Sequence, residues 1–118
     1  MKENVVKNKS FDFAVRIVNL SKYLTEQKRE YVLSKQILRS GTAIGALIRE
    51  SEQAESKADF IHKLAIALKE ANETDYWLDL LHKTEYLEEK HHQNLKADLT
   101  ELLKLLTSII KTSKANHG

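Results

Sequence analysis

The stretch Leu38–Glu50, LRSGTAIGALIRE, sets two glycines four residues apart inside an otherwise apolar run. Glycine costs about 1 kcal/mol relative to alanine in a helix interior, so two in one helix need a compensating contact. Three arrangements would supply it: a membrane helix pair, a phosphate-binding loop, or two close-packed helices in water. A membrane span needs roughly 18 or more apolar residues, and this shorter run contains Arg39. A phosphate loop sets its glycines in a strand-to-helix turn, followed by a lysine and a hydroxyl; nothing around Gly41 and Gly45 has that form. Close helix packing is what survives. Leu38 and Ile48 extend the glycine line along one helix face, leaving a shallow groove that a bulky residue such as Trp77 or Tyr76 would fill.

Outward from this stretch the chain reads as helical. It has no proline, and its third glycine is the last residue, so strong turn and hairpin signals are missing. Apolar repeats of four and three residues mark four helices, at about 10–27, 33–54, 57–84 and 88–112. The first carries Phe13, Ile17, Leu20 and Leu24 on one stripe, with Phe11, Ala14 and Val18 beside it, and Ser10 as its N-cap. The second follows Leu33, Ile37, Ser40, Ile44, Leu47, Ser51 and Ala54, with Ser34 at its start. The third opens on Ser56 and Asp59 at capping-box spacing; the fourth is led by Leu95, Leu99, Leu102, Leu106 and Ile109. Short connectors force neighbours antiparallel, so residues 1–118 are expected to form one all-α, up-down-up-down four-helix bundle. Residues 1–9 and 113–118 read as frayed, mostly basic tails, and the first helix as the shortest.

Composition narrows the functional classes. With 42% hydrophobic and 31% charged residues the chain can bury a core and is not of the disordered type. It has no cysteine, which removes disulfides, thiolate metal sites and cysteine nucleophiles together. The opening MKENVVKNKSFDF lacks the apolar segment of a signal peptide, so a cytoplasmic protein with no membrane association is expected. Net charge is only +2, but residues 1–49 hold ten Lys/Arg against four Asp/Glu, and residues 50–118 hold nine against thirteen. Either the first half feeds a basic surface, or the two halves simply form a mixed solvated exterior.

Apolar width bears on assembly. At about 100° per residue, Leu102, Leu103, Leu105, Leu106, Ile109 and Ile110 cover roughly 160° of the last helix, against about 100° for a one-sided helix. The second helix is as wide. A small bundle would bury such arcs incompletely, so a homo-oligomer is expected to cover the remainder.

The segments LSKQILRSGTAIGALIRE and DFIHKLAIALKEANETDYWLDLL resemble a bacterial four-helix-bundle family linked to intervening sequences in 23S ribosomal RNA genes, which also includes the accessory variability determinant of retroelements. Gln36, Ser40, Ile44, Ile48 and Glu50 match its second-helix pattern, and Phe60, Leu64, Ala67 and Glu73 its third. Ala43 and Leu47 depart from it, standing where the family usually has a serine and an asparagine. The resemblance implies a barrel-like ring of bundles, with a pentamer favoured, and as partners RNA, DNA or a nucleic-acid enzyme.

Chemistry-bearing residues are sparse. Acid–histidine pairs at i, i+3 (Asp59/His62, Asp79/His82, Glu88/His91, Glu89/His92) suggest carboxylate metal bundles. Yet His62 and His82 stand about 30 Å apart along one helix, and only His82 with His91 or His92 could meet. No metal site or cofactor is therefore expected. Glu70, Glu73 and Asp75 have no accompanying nucleophile or positioned base, so Glu73 is expected to pair with Arg39 or Arg49 and fix helix register. For nucleic acid the candidates are Lys22, Lys28, Arg29, Lys35, Arg39 and Arg49, with Tyr23 and Tyr31 close enough to stack on bases. Gly41, Gly45, Glu73 and Trp77 are the candidate packing or oligomer residues; Tyr76 and Trp77, being adjacent, cannot both face the core. Two functions compete: a non-enzymatic accessory protein holding nucleic acid electrostatically, and a protein–protein scaffold or adaptor without a nucleic-acid role.

Overall fold

The computed structural model of the protein describes residues 2–116, which form four helices and no strand. These are α1 (Lys2–Glu26), α2 (Leu33–Ser51), α3 (Lys57–Lys83) and α4 (Glu89–Ala115). The start of α1 corrects the expectation of a frayed tail over residues 2–9; residue 1 lies outside the described chain. Val6, Ser10, Phe13, Ile17, Leu20 and Leu24 are all buried at a 4-3-4-3-4 spacing, and the repeat passes through a serine where an apolar reading stops. Ser10 is no N-cap: its hydroxyl donates to the Lys7 carbonyl within the helix at 3.0 Å. The shortest helix is therefore α2, with 19 residues. At the far end α4 runs to Ala115, three residues past the expected stop; residues 117 and 118 lie outside the described chain.

Contacts between the helices give the topology. Ser21 meets Ser34 and Lys7 meets Glu52; Ser40 meets Thr74 and Glu50 meets Lys63. Asp75 meets Lys96 and Asp79 meets His92, while Lys9 meets Glu101 and Arg16 meets Asp98. In each series one number rises as the other falls, so α1–α2, α2–α3, α3–α4 and α4–α1 are all antiparallel and the four helices close an up-down-up-down bundle. The rod measures 51 × 22 × 19 Å. No described helix is long and apolar enough to cross a membrane.

Helix ends follow capping chemistry, with two corrections. Ser56 Oγ accepts from the Asp59 N–H at 3.0 Å, the N-cap expected at the start of α3, while Asp59 accepts at 3.2 Å from the N–H of Glu55, one residue before the cap, and not from that of Ser56 as a full capping box would have it. Ser34 does not cap α2. Glu30 does, accepting from the Ser34 N–H at 2.8 Å and the Val32 N–H at 3.3 Å, which leaves the Ser34 hydroxyl to face Ser21 across the core at 2.9 Å. After α3, Glu85 takes the left-handed φ of 70° and the Tyr86 N–H returns to the Leu81 carbonyl at 2.9 Å, a Schellman closure.

The glycines of α2 meet α1, and not the aromatic pair of α3. A Cβ on Gly41 would lie 2.8 Å from both γ-carbons of Ile17, and one on Gly45 would lie 3.3 Å from the Ser10 carbonyl oxygen. Ile17 and Ser10 therefore fill the glycine groove, and Trp77 and Tyr76 do not. The broad arc on α4 is buried incompletely, as expected: Leu102, Leu106 and Ile109 are buried, while Leu103, Leu105 and Ile110 pack only partly buried against the core. On α2, Leu33 and Leu47 do the same. More exposed apolar bulk lies on α1, where Phe11, Val15 and Val18 are 55%, 46% and 36% exposed at the i, i+4, i+7 spacing of one helix face.

Candidate nucleic-acid surface and the polar seams

Folding consumes much of the charge asymmetry between the two halves of the chain. Lys7 pairs with Glu52 at 3.1 Å, Lys9 with Glu101 at 3.1 Å and Arg16 with Asp98 at 2.5 Å. Arg39 pairs with Glu70 at 3.2 Å and also with Glu73. Four first-half cations thus meet second-half carboxylates across helix seams. Among the described residues Lys22, Lys28, Arg29, Lys35 and Arg49 enter no ion pair.

The six candidate cations are not one patch. Lys22, Lys28, Arg29 and Lys35 gather where α1 turns into α2, all exposed. Arg29 takes a left-handed φ of 55°, a backbone state costing a non-glycine residue about 1–2 kcal/mol, within the turn that joins the two helices. Arg49 lies about 21 Å further along α2 at 1.5 Å per residue. Its guanidinium sits over the Phe11 ring, 5.7 Å from the centroid. Arg39 is turned toward α3 and neutralised there.

Glu73 holds the α2–α3 seam. It accepts from Trp77 Nε1 at 3.0 Å as well as from Arg39. The Trp77 hydrogen bond, then the guanidinium, hold its carboxyl below the ordinary glutamate range, against the opposing pull of partial burial. Of the two partners expected for Glu73, the chain uses Arg39. Trp77 is partly buried against the core, while Tyr76, edge-on to it at 5.1 Å, is 59% exposed. At the next residue of each helix, Thr74 and Ser40 share a buried hydroxyl contact at 2.9 Å.

The histidines pair across helices. His82 and His92 stack at 4.2 Å with their planes 8° apart, and His92 bonds to Asp79 at 2.9 Å. In stacked imidazoles the nitrogen lone pairs run side by side and do not converge. No three described His, Asp or Glu side chains gather where they could hold a metal ion. Burial alone would raise the Asp79 carboxyl, but hydrogen bonds from His92 and Lys96 outweigh it and hold the group below its usual range.

Two of the grooves beside α1 bear on binding. One, of about 450 Å³, lies toward α2 over Gly45, with Phe11, Ala14, Thr42, Ala46 and Arg49 among its lining. The other, of about 220 Å³, lies toward α4 and is lined by Arg16, Asn19, Leu20, Tyr23, His91 and Leu95. Sequence reasoning named Tyr23 for nucleic acid but not Arg16 or Asn19 beside it, and it weighed His91 only as a metal ligand. The available signal was the register of α1 against α4, which only the fold supplies.

A closed antiparallel arrangement of four helices, with small residues in one seam and ion pairs across the others, is an all-α four-helix bundle in class. The chain matches the family of 23S rRNA-intervening sequence proteins over residues 2–108 and belongs to that family. It is also similar to a crystallised protein of unknown function from the S23 ribosomal protein family of Bacteroides thetaiotaomicron. The two share 65% identity at a TM-score of 0.93, over 94% of this chain and 99% of that one. No curated protein is a match.

Proposed function

We propose that the protein is a non-enzymatic, self-associating bundle that binds RNA or DNA through its α1–α2 end. The carrying observation is that Lys22, Lys28, Arg29 and Lys35, close together around one turn, stay exposed and unpaired among the described residues, while Lys7, Lys9, Arg16 and Arg39 are tied into seams. Cations free of carboxylates release counterions from a phosphate backbone, which gives affinity that falls steeply with salt. The family description, which refers to 23S rRNA, supports the same class of partner. Electrophoretic shifts with short RNA and DNA at low and moderate salt test it. Binding should weaken with salt and fall further when the four cations are changed to glutamine; no shift at low salt would discard the reading.

Self-association rests on α1. Phe11, Val15 and Val18 form an exposed apolar line beside the groove over Gly45, and repetition around a ring multiplies a small set of phosphate contacts. A ring of subunits, with five favoured by the family resemblance, is the proposed assembly. Native mass spectrometry of protein recovered from cells reads the subunit number and any retained partner. The same apolar line also favours a second reading, a scaffold or adaptor that recruits another protein, such as a nucleic-acid enzyme, and never touches nucleic acid. Retention of a protein but of no nucleic acid in that spectrum would select the second reading.

A further inference from the structure

We propose that the α1–α4 groove beside the basic end takes one unstacked nucleobase of a single strand; this rests on the nucleic-acid reading above and assigns it a base-stacking site. The floor is apolar, made by Leu20 and Leu95, which are 7% and 3% exposed. The Tyr23 ring, 40% exposed, forms one wall. Polar groups stand along the rim: the Asn19 amide, the His91 imidazole and the Arg16 guanidinium. Asp98 holds Arg16 through one nitrogen at 2.5 Å, and a guanidinium carries five N–H donors, so donors remain for a ligand.

Flat apolar faces with hydrogen-bonding edges describe a nucleobase, and aromatic platforms with amide and guanidinium partners are how unpaired bases are held. At about 220 Å³ the groove falls below the roughly 300–1,000 Å³ of pockets that enclose a whole ligand, so it suits one ring system whose sugar and phosphate stay outside.

Charge fixes where the phosphates run. The Lys28 ammonium stands 5.9 Å from the Tyr23 ring centroid, and Lys22 is the neighbouring residue of α1. On the far side of Tyr23 a polar cleft is lined by Lys28 together with Glu85, Glu88 and Glu89, so three carboxylates there outnumber one ammonium and repel a phosphate backbone. A strand therefore leaves the groove on the Lys22 side toward the α1–α2 turn, with Lys28 behind the Tyr23 ring, and does not cross the α3–α4 turn. A duplex keeps its bases stacked and cannot enter.

Fluorescence anisotropy with a labelled single-stranded oligoadenylate RNA, and with a duplex of equal length, tests this at low salt. Tyr23→Leu should weaken single-strand binding about tenfold or more while leaving the salt slope and duplex binding unchanged, and Tyr23→Phe should restore the loss. Should Tyr23→Leu fail to fold, Asn19→Ala on the exposed rim should reproduce the weakening. In amide NMR spectra AMP alone should shift Asn19, Leu20, Tyr23, His91 and Leu95. If single-strand binding survives Tyr23→Leu and Asn19→Ala but not loss of Lys22 and Lys28, the base site is overturned and the electrostatic reading stands. If the unaltered protein binds neither strand nor duplex and AMP shifts nothing, both fall. Groove shifts with AMP but no strand binding would overturn the single-strand assignment and leave a free-nucleotide site.

Discussion

Two seams flank α1, and they are built from opposite materials. Toward α2 the contacts are short and made by small residues: Ile17 fills the place of a Gly41 side chain, the Ser10 carbonyl lies against Gly45, and Ser21 meets Ser34 at 2.9 Å. Toward α4 long charged side chains reach across, Lys9 to Glu101 and Arg16 to Asp98, and a 220 Å³ groove stays open beyond them. Small residues let two backbones approach until side chains interlock, which gives rigidity. Long polar side chains bridge a wider gap, although a groove lies beside each seam and the larger, of about 450 Å³, is over Gly45 on the close-packed side. One helix thus carries a close-packed face and a bridged face, the second being the one proposed to take a base.

The largest expected effect breaks the close seam from the α1 side. Ile17 is fully buried, and Ile17→Ala should cost about 2–5 kcal/mol in denaturant unfolding, through lost burial plus the cavity left behind. From the α2 side, Gly41→Ala places a methyl 2.8 Å from the branched γ-carbons of Ile17, atoms near the backbone with little freedom to move. Overpacking of about 1–3 kcal/mol should exceed the roughly 1 kcal/mol gained in helix propensity, giving a net loss. At Gly45 the approach is 3.3 Å, so Gly45→Ala should be close to neutral. Combining Ile17→Ala with Gly41→Ala should cost less than the two losses added, because the new methyl enters vacated space. Strict additivity would show that the two residues do not share that space.

A smaller effect tests the α2–α3 seam through pH. The Trp77 hydrogen bond and Arg39 lower the Glu73 pKa from 4.5, so its stabilisation is complete above the unfolded value and is lost as pH falls through the lower folded value. The unaltered protein should therefore lose stability on acidification below about 4.5, and Glu73→Gln should flatten that part of the profile. Because the pair is partly exposed, the neutral-pH cost of Glu73→Gln should stay below about 1 kcal/mol. An unchanged acid limb would mean that the carboxylate contributes nothing to folding.

The helical period made the four helices and their antiparallel order legible, since every connector is short and every helix keeps a stripe. The glycine pair was legible as a close approach but not its partner, because Ile17 is assigned to Gly41 only by the register of α1 against α2. The first two turns of α1 were hidden by Ser10, which buries its hydroxyl against its own helix and so behaves as a core residue. Charge asymmetry was visible as a sum, whereas its use was not: Arg16 and Asp98 are 82 positions apart. The apolar width of α4 made its incomplete burial legible, since Leu103, Leu105 and Ile110 are only partly covered, whereas the more exposed line on α1 was not legible, because an arc says how much surface is greasy but not how far neighbours reach. The groove beside Tyr23 joins residues 16–23 to residues 91–95, a juxtaposition no local pattern encodes.

The smallest expected effect lies in the α1–α4 seam. Lys9 and Glu101 are 44% and 51% exposed and meet at 3.1 Å, so water screens the pair and both side chains lose rotamer freedom in forming it. Glu101→Gln should cost about 0.2–1 kcal/mol at low ionic strength, and the difference should vanish near 1 M salt, where the screening length is about 3 Å. Gly41→Ala alters packing, not charge, so its cost should survive that salt. If Glu101→Gln matched Gly41→Ala and resisted salt, the α1–α4 seam would be as rigid as the α1–α2 seam. Helix α1 could then not be held loosely enough on that side to admit a base, and the division of labour between its two faces would fail.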